Sequence, residues 1–69
     1  MISLNNIEKL QLFCLESYKT LKNVTGKKAL ADFEDYDVFG FLAVGYDVLH
    51  TQGIGYIIDE INGYLESRK

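Results

Sequence analysis

Ile54-Gly55-Tyr56-Ile57-Ile58-Asp59-Glu60-Ile61-Asn62-Gly63-Tyr64-Leu65-Glu66 is the stretch on which the fold turns. Ile54, Ile57, Ile58, Ile61 and Leu65 recur at steps of three and four, which gathers them on one side of a helix. Asp59, Glu60, Asn62 and Glu66 take the other side. Isoleucine also suits strands, but the three-and-four spacing is helical. It predicts a helix from Gln52 or Gly53 to Glu66. Arg68 and Lys69 follow, where positive charge suits the negative end of the helix dipole.

Moving outward, His50-Thr51-Gln52-Gly53 interrupts the pattern and reads as a turn. Before it, Val38 to Leu49 has almost no polar side, which predicts a third helix placed centrally in the fold. Asp37 is its natural N-cap. Gly40 and Gly45 each cost about 1 kcal/mol of helix propensity against alanine, and their bareness would admit a close neighbour. Earlier still, Ile7, Leu10, Cys14, Tyr18 and Leu21 form a helical stripe within Ser3 to Asn23, widened by Leu12, Phe13 and Leu15. Ser3 or Asn5 can cap its start and Asn23 its end. Thr25 then caps a short second helix, Gly26 to Asp35, with an apolar face of Ala29, Leu30 and Phe33. The chain has no proline, so caps and glycines must set every helix end. The expected architecture is all-α: one domain over residues 1–69, a compact bundle of four short helices. The third and fourth form an inner hairpin, with the first across them.

Composition excludes several classes of function. With 48% hydrophobic and 25% charged residues, the chain is globular, not disordered. A net charge of −3 argues against a protein whose main work is neutralising phosphates. Between Val38 and Ile58 only Asp47 is charged, but His50-Thr51-Gln52 splits the apolar residues into groups well short of the ~18 needed to span a membrane. Met1 to Leu10 shows no secretory pattern. With the unpaired Cys14, this leads us to expect a cytoplasmic protein. One cysteine and one histidine cannot build a disulfide or a Cys/His zinc site within one chain. Gly53-Ile54-Gly55 lacks the third glycine and the preceding strand of a dinucleotide fingerprint. No catalytic residue, metal or cofactor is expected, and Cys14 on the apolar stripe reads as a buried structural thiol.

What remains are candidate surfaces for a protein partner. Tyr46 and His50 stand four apart and share a helix face. Asp47 lies three residues before His50, where it can hydrogen-bond the imidazole and fix its tautomer. Thr51 and Gln52 complete this corner. The structural alternative is that His50 closes the third helix and Thr51 caps the fourth. Asp32, Glu34, Asp35 and Asp37 make an acidic corner without the spacing of a calcium loop, suited to a basic partner. Tyr56 and Tyr64 flank the isoleucine stripe, at the core edge or at an interface. Lys19, Lys22, Lys27 and Lys28 surround the first interhelical turn. They give the alternative of a helix-turn-helix-like DNA-binding regulator, although no segment is well suited to a groove. A chain this small also gains from self-association, which makes a homodimer the third reading.

Phe13-Cys14-Leu15-Glu16-Ser17-Tyr18-Lys19, Thr25-Gly26-Lys27, Tyr36-Asp37-Val38-Phe39, Tyr46-Asp47-Val48-Leu49-His50-Thr51-Gln52-Gly53 and Tyr56-Ile57-Ile58-Asp59-Glu60-Ile61 together resemble an uncharacterised bacterial family, domain of unknown function number 3791. The resemblance spans nearly the whole chain, and Leu49 to Gly53 is its most specific part. Its members are short, stand-alone proteins of bacteria and their mobile elements, some encoded beside an ADP-ribosyltransferase-like family. The resemblance therefore implies the small partner, or antitoxin, of a toxin-like enzyme, and supplies no catalytic residues. The chain departs from the family in lacking a polar insertion in place of Gly40 and Gly45.

Overall fold

The computed structural model describes residues 3–69, which are helical without a strand. Each helix begins where the local chemistry satisfies its free N–H groups. Helix α1, Asn6–Lys22, opens on a capping box. The Asn5 side chain accepts from the Glu8 N–H at 2.8 Å, and the Glu8 carboxylate accepts from the Asn5 N–H at 3.0 Å. Asn5, not Ser3, is thus the cap. At the far end Asn23 turns left-handed, with φ 54°. There the Val24 N–H donates to the Lys19 carbonyl at 3.1 Å, which ties off the last turn. Helix α2, Gly26–Asp35, starts at Thr25, whose hydroxyl accepts from the Lys28 N–H at 3.1 Å.

The expected third helix is two. Helix α3, Val38–Val44, and helix α4, Tyr46–Leu49, are separated by Gly45. Gly45 lies at φ −88°, ψ 6°, in the bridge region between helix and strand. The bend interrupts the helical ladder: the Gly45 N–H still donates to Phe41 at 3.0 Å and the Leu49 N–H to Gly45 at 2.8 Å, but the Val48 N–H turns to the Gly45 carbonyl at 3.1 Å, a tighter three-residue step. A β-carbon at position 45 would stand 3.0 Å from Leu49 Cδ1 and 3.3 Å from the Phe41 carbonyl. The bareness of this position serves the chain's own bend. Helix α5, Ile54–Arg68, completes the fold.

The central element is also different from the expected one. Helix α1 packs against α2, α3 and α5, while α3 and α5 are not a closely packed pair. The α3–α5 pair is not an inner hairpin, and it meets through the Phe41 and Tyr64 rings, 4.3 Å between centroids. Once Gly45 bends the third segment, its short pieces can turn only one side inward. Val38, Leu42 and Leu49 are buried, while Val44 is 91% and Val48 60% exposed. The core joins these three to Cys14, Tyr18, Ala29, Phe33 and the α5 residues Ile57, Ile58, Ile61 and Leu65. Phe33 sits at its aromatic centre, 5.3 Å from both the Tyr18 and Phe39 rings. Among the described residues, no helix is long and apolar enough to cross a membrane.

Candidate functional site

The corner after α4 is a compact hydrogen-bonded closure. His50 stacks on Tyr46, with 4.4 Å between centroids and 4° between planes. Its Nδ1 lies 2.6 Å from the Tyr46 carbonyl. A carbonyl only accepts, so Nδ1 carries a proton. The tautomer is therefore set by the Tyr46 backbone and not by Asp47, which is exposed. Thr51 donates to the Val48 carbonyl at 2.7 Å, so it closes α4. It does not cap α5, whose N-cap is Gly53 without a side-chain bond. Gln52 is exposed, its amide 3.4 Å from the Thr51 hydroxyl. Tyr46, His50, Thr51 and Gln52 are thus brought together, with the exposed edge of the imidazole facing outward.

The acidic corner is divided by the structure. Asp32 is largely covered and engaged, accepting from Lys28 Nζ at 2.8 Å and from the Tyr18 hydroxyl at 3.0 Å. Partial burial pushes its carboxyl up, but those two hydrogen bonds outweigh it and hold the group below the usual carboxylate range. Burial first, and then the Asp32 contact, push the Tyr18 phenol up to about 12. Asp37 accepts from the Gly40 N–H at 3.3 Å and so caps α3, from a left-handed backbone at φ 52°. Glu34, Asp35 and Asp37 are exposed and form no ion pair among the described residues.

The two tyrosines separate as well. Tyr56 is exposed. Tyr64 fastens α5 to the α2–α3 junction: its hydroxyl donates to the Tyr36 carbonyl at 2.7 Å, and the Arg68 guanidinium lies 4.2 Å above its ring. Cys14 is fully buried, and burial pushes its thiol up to about 11, which keeps it protonated and unreactive at neutral pH.

An open apolar groove falls where the sequence places core. Phe13 is 53% and Leu21 61% exposed. With Ser17, Thr20, Glu16 and Ile54 they line a groove of about 350 Å3 between α1 and the start of α5. Leu21 belongs to the helical stripe by spacing, but it is left exposed while Tyr18, one turn earlier, is buried. The small residues Ser17 and Thr20 between Phe13 and Leu21 are the one local signal of a groove instead of a packed face.

A family model described as "Protein of unknown function (DUF3791)" matches residues 9–68. The chain belongs to the DUF3791 family. The matched DUF3791 span runs from the first turn of α1 to the last residue of α5, so it contains the groove, the His50 corner and the acidic corner. No curated protein and no solved structure gives a significant match.

Proposed function

We propose that this DUF3791 protein is a non-enzymatic, cytoplasmic interaction module, the small partner or antitoxin of a toxin-like, ADP-ribosyltransferase-like enzyme. The observation that carries the reading is the apolar groove between Phe13 and Leu21. Two large apolar side chains, each more than half exposed, flank the smaller Ser17 and Thr20 on a well-capped 17-residue helix. Such a rigid ridge-and-socket surface suits an apolar side chain of a partner, seated at the centre of an interface. The exposed Glu34 and Asp35 at the end of α2 add acidic charge, which would steer the module towards a basic cleft. The buried, unpaired Cys14 agrees with a reducing compartment.

The test is co-expression with the product of an adjacent ADP-ribosyltransferase-like gene, followed by calorimetry on the purified pair. A stable complex is expected, with Phe13→Glu weakening it by at least about tenfold, as for an interface anchor. No association at tens of micromolar would overturn the reading. Retention on duplex DNA in low salt, with no complex formed, would favour the DNA-binding alternative instead.

A further inference from the structure

On the face formed by α3, α4 and the end of α5, the chain carries both halves of a self-complementary contact. Val44 stands out from the surface at 91% exposure. It borders a depression of about 390 Å3 that Gly40, Phe41, Gly45 and Tyr64 also line. The lining includes one charge of each sign, Asp37 and Arg68. Arg68 stacks on Tyr64 and forms no ion pair among the described residues. A two-fold contact requires one patch to serve as both surfaces, so every knob needs a hole and every charge its opposite within that patch.

We propose that this face is the interface of a homodimer in which two copies pack about a two-fold axis near Val44. Each Val44 enters the depression of the other copy, and each Arg68 meets the other copy's Asp37. Charge complementarity favours a second copy, which brings both signs: a purely acidic or purely basic partner would leave Asp37 or Arg68 opposed. The patch is small for a permanent dimer, so association belongs to the weak, reversible class. It shares no residue with the Phe13–Leu21 groove, and it stands or falls independently of the function proposed above.

Sedimentation equilibrium of the full chain from micromolar to millimolar concentration tests it. The expected mass rises from 7.9 kDa towards twice that value. Val44→Glu and Arg68→Glu should each raise the dissociation constant by at least about tenfold, while Phe13→Glu leaves it unchanged. Because Val44 makes so little contact within its own chain, the far-UV circular dichroism of Val44→Glu should match that of the parent, which confirms folding. A monomer at every concentration would overturn the proposal, as would a dimer indifferent to Val44→Glu.

Discussion

Gly40 and Gly63 both lie in helices, yet their surroundings demand different outcomes on substitution. Nothing lies within 4 Å of a β-carbon built at Gly63, so Gly63→Ala should gain about 0.5–1 kcal/mol of stability from helix propensity alone. A β-carbon at Gly40 would run into the Asp37 carboxylate that caps α3. Gly40→Ala should therefore forfeit about 1 kcal/mol, the value of a cap, which offsets its gain in propensity. Urea unfolding midpoints of the two variants, one raised and one little changed, check the contrast. Burial also decides the response to alkali. Cys14 and Tyr18 have folded-state values raised to about 11 and about 12, from ordinary values of 9.0 and 10.0. Both groups bind protons more tightly when folded, so their contribution is intact below pH 9 and is lost as pH rises towards 12. Unfolding free energy should fall progressively across pH 9–12, and Cys14→Ala should remove the earlier part of the fall. A flat profile would contradict the burial of both groups.

At the scale of elements, helix ends were written locally and helix continuity was not. Asn5, Thr25 and Asp37 each bond an N–H three residues on, an interaction that needs only a few neighbouring residues and is therefore legible from sequence. Asn5→Ala should cost about 1 kcal/mol and fray the start of α1, seen as faster amide exchange at Glu8. The break at Gly45 depends instead on Leu49 and Phe41 crowding one backbone position, and propensity registers only a weakened helix. A rival division of labour failed at the His50 corner for a related reason. Asp47 and the Tyr46 carbonyl are both within reach of the imidazole by spacing, and the bend and ring stacking select the carbonyl.

For the whole molecule, stability depends on a small core in which one aromatic side chain links α2 to its neighbours. Phe33 is fully buried against Tyr18 of α1 and Phe39 of α3. Phe33→Ala should cost about 3–5 kcal/mol, comparable with the whole stability of so small a domain, about 0.05–0.15 kcal/mol per residue. The variant should lose its cooperative thermal transition in circular dichroism; retention of a sharp transition within a few degrees of the parent would show that the core lies elsewhere. The amino-acid sequence by itself determined the helical class, the span of α2, the caps at Asn23, Thr25 and Asp37 and the inward side of α5, because period and caps act over a few residues. Only the tertiary structure decided that α1 is the hub, that Asp32 is spent on Tyr18 and Lys28, and that Leu21 and Val44 face outward. Those outcomes turn on which apolar sides find neighbours, and a chain this short has more oily surface than it has partners to cover it.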